Sequence, residues 1–127
     1  MAQRARPVSP HLEVYRFTLT MAMSIAHRIT GAANYVGTLL LLAWLGAAAL
    51  GDPAYSTLNG ILGSWIGQVV LFGYTWSLFH HMLGGIRHFV WDTGRMFDPA
   101  GREWIVRAHV AASIVLTLGA WALFVWS

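Results

Sequence analysis

The sequence predicts an all-α membrane protein with three transmembrane helices, and its composition and segmentation lead to that prediction. Of the 127 residues, 57% are hydrophobic and 10% are charged, whereas soluble chains carry about 25% charged residues. Three long apolar segments are separated by short polar breaks. So few charges cannot cover that much apolar surface in water, and lipid must therefore be part of the solvent. A single membrane anchor domain over residues 1–127 is expected.

The composition also excludes several classes of function. The chain has no cysteine, so disulfides, iron–sulfur ligation and thiolate chemistry by this chain are excluded. All eight basic residues are arginines, and they lie at the edges of apolar blocks rather than in one basic patch. No nucleic-acid partner is therefore expected.

The N-terminal arm, residues 1–22, is polar and precedes the first apolar segment. It contains Arg4, Arg6, Pro7 and Pro10, and no early apolar core leads to a cleavage site, so it does not look like a secretory signal. We expect the first span to be retained and the arm to contact a soluble partner.

Each apolar segment is long enough to cross a bilayer, which takes about 20 residues of helix. The first ends at a Gly-Asp-Pro stop and the second at Asp-Thr-Gly-Arg. The predicted spans are residues 23–50, 61–91 and 104–126, and the second starts at either Ile61 or Trp65.

The arginines predict the orientation of the spans. They lie before or at the start of the first span, or around the loop that joins the second and third, and the loop between the first two spans has only Asp52. Positive residues mark the inner side, so we expect the N-terminus inside and the C-terminus outside. The arginines are Arg4, Arg6, Arg16, Arg28, Arg87, Arg95, Arg102 and Arg107.

The second span carries ionisable residues at membrane depth, where such groups are costly and usually functional. On a helix with 100° per residue, one face carries polar residues and two adjacent glycines, and a neighbouring face carries His80 and Arg87. Glycines let a partner backbone or a flat ligand approach closely. The first face consists of Tyr74, Ser77, His81, Gly84, Gly85 and His88.

His81 lies eleven residues from Asp92, or about 16 Å along a helix, near the middle of the hydrocarbon core. Its imidazole needs a partner for at least one ring nitrogen. Axial ligation of a b-type haem is one interpretation. An interhelical hydrogen bond to a serine or a backbone carbonyl is the other.

The first span has a matching stripe that runs inward from the inner boundary. On it, His27 and Arg28 suit contact with a buried anion such as a haem propionate, and Ser24 suits a hydrogen bond to a quinone carbonyl. Arg28 alternatively extends to the headgroups. The histidines near the inner surface, His11 and His109, are expected to be solvated. The stripe consists of Ser24, His27, Arg28, Gly31, Tyr35 and Thr38.

Two motifs in this order resemble the cytochrome b subunits of succinate dehydrogenase, and the three-span layout matches that family over nearly the whole chain. The first is the run from Arg6 to Leu12 followed by Ser24–Gly31, and the second is His81–Asp92. The resemblance implies that His81 is one axial ligand of haem b, the other coming from a small companion anchor subunit. It also implies that Ser24 and Arg28 belong to a ubiquinone site, and that His27 and Arg28 lie near the haem propionates.

The function implied is that of a haem-binding membrane anchor in the electron-transport complex that also serves the tricarboxylic acid cycle. A flavoprotein subunit oxidises succinate, an iron–sulfur subunit carries the electrons, and this chain performs no succinate chemistry itself. The short chain favours the inner membrane of a bacterium over that of a mitochondrion. The alternatives are a haem-free structural anchor and a small proton-conducting subunit that uses His80, His81 and Arg87.

Overall fold

A computed structural model of the protein describes residues 7–126, so Arg4 of the N-terminal arm and Arg6 of the first motif lie outside the described residues. The all-α prediction is confirmed, since the described part of the chain contains helices and no strand. Its elements are a 3₁₀ turn at His11–Val14, α1 at Leu19–Leu50, α2 at Ala54–Gly63, α3 at Trp65–Asp92 and α4 at Pro99–Trp126.

The short helix α2 is the main departure from the predicted elements. The sequence predicts a loop after Gly51 and a second span that starts at either Ile61 or Trp65, but Ile61 belongs to α2. The break lies at Ser64, whose backbone is extended with ψ 159° and whose Oγ accepts a hydrogen bond from the Gly67 amide at 3.2 Å. This cap makes Trp65 the first residue of α3.

Local caps also set where the two other long helices begin, four and five residues before the predicted spans. Thr18 caps α1, its Oγ1 accepting a hydrogen bond from the Met21 amide at 3.4 Å. Asp98 caps α4, with Pro99 at the first helical position and Oδ2 accepting from the Gly101 amide at 2.9 Å. These caps lie outside the apolar segments, so hydropathy did not mark them.

The bundle is arranged around α3, which packs against both α1 and α4, while α2 packs against α1 and α3. A small apolar core closes the end of the bundle where α1 and α4 begin and α3 ends. There, Met23 of α1 meets Ile105 and Val106 of α4, and Trp91 and Val110 pack against them. α3 is thereby held between α1 and α4.

The bundle buries polar side chains and exposes apolar ones. On α4, the side chains turned inward are His109, Ser113 and Thr117, which are 5%, 0% and 1% exposed. Large apolar side chains such as Leu39 and Val115 face outward, with 64% and 66% of their surface exposed. This is the reverse of a water-soluble core, so lipid or partner chains must cover the outside.

Two of the helices, Leu19–Leu50 and the part of α4 at Pro99–Phe124, are long and apolar enough to cross a membrane. Only 6% and 28% of their most apolar windows are buried, so they are not the core helices of a soluble protein. The second predicted span corresponds to α3, in which histidines and Arg87 interrupt the apolar sequence. Its inward-facing polar residues account for its lower hydropathy.

Candidate functional site

Two histidines, one from each of the polar stripes predicted on the first two spans, meet between α1 and α3. The rings of His27 and His81 are stacked, with centroids 4.1 Å apart and planes 3° from parallel. His88, one further position on the same face of α3, lies with its ring centroid 5.4 Å from that of His27. The polar face of α3 therefore packs against α1 at His81.

A hydrogen bond fixes the tautomer of His81. Its Nδ1 lies 3.1 Å from the backbone carbonyl oxygen of His27. Since a carbonyl oxygen only accepts, Nδ1 must carry the hydrogen, and in the neutral ring Nε2 then keeps its lone pair. Metal-ligating histidines commonly show this arrangement, in which one nitrogen donates to a carbonyl and the other is free to bind the metal. The hydrogen bond also matches the non-haem interpretation of His81, so it is compatible with both.

Two glycines make the close approach of the rings possible. A Cβ atom at Gly31 would lie 2.9 Å from Cε1 of His81. A Cβ atom at Gly84 would collide with Cδ2 of His27. Each ring therefore lies on the bare backbone of the opposite helix, and any side chain at either glycine would displace it. By contrast, a Cβ atom at the adjacent Gly85 would meet nothing within 4 Å.

The same face of α3 continues from His81 toward the start of the helix, through Ser77 and Tyr74. Ser77 Oγ lies 3.1 Å from the backbone oxygen of Thr30 and 2.7 Å from Oδ1 of Asn34. The Tyr74 ring packs so closely over Gly37 that no Cβ atom would fit there. These contacts extend the interface between α1 and α3 from His81 toward the start of α3.

The stripe predicted on α1 is divided by the structure. His27 and Gly31 face α3, whereas Ser24, Arg28 and Tyr35 are exposed. The centre of the contact face is occupied by the buried Thr30, so residues turned about 60° to 100° beyond His27 fall on the outer flank. The structure therefore does not bring Ser24 or Arg28 into contact with His81. It places them one helix face away, where a partner can reach them.

A second polar cluster, made of His80, Arg87, Trp91 and His109, lies between α3 and α4. Nε2 of His109 lies 2.8 Å from the backbone oxygen of His80, and the two rings have centroids 4.4 Å apart. Cζ of Arg87 lies 4.9 Å from the centre of the Trp91 ring. The predicted separation of His80 and Arg87 from the face of His81 is thus seen in the structure.

The expectation that His109 is solvated is wrong, since its side chain is 5% exposed. Its nearness to the predicted inner surface suggested solvation, but the side chain faces α3 and packs against His80. A signal was present in the sequence. Val106, His109, Ser113 and Thr117 follow a three- and four-residue spacing that marks one helix face. The side chain of His11 lies outside the described part of the chain.

A groove of about 660 Å³ runs along the outside of the α1–α3 contact, beside Ser77. Small side chains form much of its floor, including Ala33, Gly37 and Gly73. Small residues allow a helix or a flat ligand to approach the backbones closely in a membrane. The groove lies on the outer surface of the pair of helices that holds His27 and His81.

The chain is similar to known proteins over nearly its whole length. Residues 2–126 match the family described as "Succinate dehydrogenase/Fumarate reductase transmembrane subunit". It is 38% identical over 113 residues to the succinate dehydrogenase cytochrome b556 subunit of Paracoccus denitrificans, an alignment covering 89% of this chain and 87% of that one. With the corresponding subunit of Rickettsia felis, it is 31% identical over 116 residues, or 91% and 90% of the two chains.

A mitochondrial protein is also similar. The succinate dehydrogenase cytochrome b560 subunit of Sus scrofa is 39% identical over 94 residues, which cover 71% of this chain and 54% of that protein. The resemblance indicated by the two sequence motifs is confirmed by these matches. The chain belongs to the family of succinate dehydrogenase and fumarate reductase transmembrane subunits.

Proposed function

We propose that the chain is the haem b-binding membrane anchor of a succinate dehydrogenase, and that it forms part of the site where ubiquinone is reduced. The observation that carries the haem assignment is the hydrogen bond from His81 Nδ1 to the His27 carbonyl oxygen. It leaves Nε2 as the nitrogen that can bind iron. The similar proteins are named as cytochrome b subunits, which supports the same assignment.

The residues around His81 fit a haem group. Nε2 of His27 is buried and has no hydrogen-bond partner among the described residues, so it is available to a carboxylate such as a propionate. Exposed Arg28, next along the chain, would add a positive charge on the neighbouring flank of α1. The adjacent groove of small residues gives a flat ligand room to approach.

The proposal assigns roles at the haem to three residues of the chain. His81 would hold the iron, and His27 and Arg28 would lie near the propionates. A bound haem supplies a one-electron carrier. A residue of the small companion anchor subunit would supply the second ligand to the iron, and that subunit would cover the groove between α1 and α3.

The quinone-binding part of the proposal is supported by the exposed flank of α1. Ser24 and Arg28 are exposed near the start of α1, where, in the proposed topology, an iron–sulfur subunit bound to the inner face can complete a pocket. Ser24 would form a hydrogen bond to a quinone oxygen. Arg28 would stabilise the negative charge that develops on that oxygen, because a guanidinium stays protonated in a site of low dielectric constant.

The proposed topology has α1, α3 and α4 crossing the inner membrane of a bacterium, with the N-terminus inside. α3 is 28 residues long, or about 42 Å, which is longer than the hydrocarbon core of about 30 Å. Its polar side chains are turned toward α1 and α4, so it can cross without presenting them to lipid. Arginines in the short loop between α3 and α4, such as Arg95, would mark the inner side.

Replacing Ser24 or Arg28 by alanine is expected to reduce succinate–quinone reductase activity at least tenfold, while succinate–dye activity is kept. The physical reason is that both side chains would act on quinone, and both are exposed rather than packed in the contact between α1 and α3. The measurement compares the two activities in the purified complex. Arg95→Ala, which removes an exposed arginine from the loop after α3, is the control and should keep both. Wild-type quinone reduction in both variants would contradict the assignment.

A second candidate function, a haem-free structural anchor, is favoured by one observation. His81 is already hydrogen-bonded and stacked within this chain, as a purely structural histidine would be. The deciding experiment is a reduced-minus-oxidised optical spectrum of the purified complex, with its subunits identified. A haem b band supports the proposed function, whereas a colourless complex with all subunits present supports the structural anchor.

A further inference from the structure

Arg87 is a charged residue buried inside the bundle, away from the stacked histidines. Its side chain is 2% exposed, although it lies five residues from the end of α3 at Asp92, about 7.5 Å along the helix. An arginine at that depth on a helix surface would extend to the headgroups. Arg87 instead folds over the ring of Trp91, so its charge stays within the protein.

No acidic side chain of the chain compensates this charge. All five acidic residues are exposed, and the ion pair found among the described residues joins Arg107 to Glu103 on the surface of α4. Nε and Nη1 of Arg87 have no hydrogen-bond partner in the described part of the chain. Because arginine is not deprotonated in proteins, Arg87 is a fixed positive charge in a region of low dielectric constant.

The polar neighbours of Arg87 are histidines, and they supply no negative charge. His109 donates from Nε2 to the backbone oxygen of His80, since a carbonyl oxygen only accepts. Its buried Nδ1 and both ring nitrogens of His80 have no partner among the described residues. These nitrogens can solvate a cation through lone pairs or ordered water, but they leave its net charge unchanged.

We propose that Arg87 is an electrostatic positioning residue that raises the reduction potential of the haem held by His81. The inference rests on the proposed function, because it requires haem at that histidine. Arg87 and His81 are six positions apart on α3, an axial distance of about 9 Å. Reduction adds one electron to the haem, and a nearby fixed cation stabilises that additional negative charge.

The expected size of the effect follows from Coulomb's law. Two unit charges roughly 10 to 12 Å apart at an effective dielectric constant of about 20 change an equilibrium constant by about tenfold. For a one-electron reaction, tenfold corresponds to about 59 mV. The effect should be nearly independent of salt, because ions do not reach a buried charge.

The experiment is an optical redox titration of haem in the purified complex carrying Arg87→Met, which keeps an unbranched side chain and removes the charge. We expect the haem to be retained and its reduction equilibrium constant to fall about tenfold, lowering the midpoint potential. Arg87→Lys keeps the charge and should retain most of the wild-type value. Arg107→Met is the matched control, because it removes an arginine whose side chain is 71% exposed and should leave the midpoint unchanged.

The outcomes separate this inference from the proposed function. An unshifted midpoint in a haem-containing Arg87→Met complex would overturn the role of Arg87 and leave the haem assignment intact. Equal shifts in Arg87→Met and Arg87→Lys would also overturn it, since packing rather than charge would then be responsible. A wild-type complex without haem would contradict the proposed function itself. If Arg87→Met does not assemble, Arg87→Gln against Arg87→Lys gives the same comparison of charge at similar size.

Discussion

Replacing His81 with alanine is expected to remove the haem b absorption from the purified complex. The substitution removes the imidazole and with it Nε2, which is free for iron because Nδ1 donates to the His27 carbonyl oxygen. The haem would then be held only by a ligand from a companion chain, and it would bind weakly. We expect haem content to fall from about one per complex to a small fraction. The measurement is the reduced-minus-oxidised spectrum, normalised to the flavin content of the same sample.

The neighbouring histidine provides the control for this experiment. His80 precedes His81 in the chain, but its ring packs against His109 of α4, so His80→Gln should keep the haem band. Complex assembly is followed separately by the recovery of all subunits, because a variant that fails to assemble says nothing about ligation. A normal spectrum in an assembled His81→Ala complex would show that His81 is not the ligand.

Replacing Gly84 with alanine is expected to destabilise the contact between α1 and α3 and to disturb the haem spectrum. The added Cβ would collide with Cδ2 of the His27 ring, and that ring cannot simply slide, because it is stacked on His81. Overpacking of this kind costs about 1–3 kcal/mol. The measurements are the thermal stability of the purified complex and the position and width of its haem band.

Gly85→Ala is the matched control for this substitution. It adds the same methyl group one position along α3, where a Cβ atom would meet nothing within 4 Å. Both variants gain the same helix propensity, so their difference in stability reports the collision with His27 alone. Equal stability of the two variants would show that the His27 ring can move aside and that Gly84 is not needed for close packing.

Much of the bundle could be predicted because strong local signals coincide with it. Gly51, with φ 75°, ends α1 at the position where the sequence shows its Gly-Asp-Pro stop. Asp92 ends α3 where the apolar segment gives way to polar residues. The face that carries Ser77 and His81 was visible from helical periodicity, because its residues repeat at the spacing of one helix face.

Other features depend on contacts that periodicity does not contain. α2 is held by packing against α1 and α3, including a 3.2 Å hydrogen bond from Trp44 Nε1 to Asn59 Oδ1. The local sequence alone does not predict this helix. Polar residues alone predict the stripe on α1. The contact face is instead centred on the buried Thr30, which is not part of that stripe. Arg28 therefore points outward, since the partner helix, and not polarity alone, decides which side is inside.

The polar interior of α3 also has a consequence for how the chain enters the membrane during synthesis. Under the proposed topology, α1 reaches the bilayer first, and α3 follows with His80, Arg87 and His81 still uncovered. Charged and polar residues raise the free energy of inserting a helix by itself. The translocation machinery therefore has to retain α3 until α4 is made, so that the last two helices partition into lipid as a hairpin. Truncated chains ending before Pro99 should accordingly be recovered in the membrane through α1, with α3 accessible to added protease.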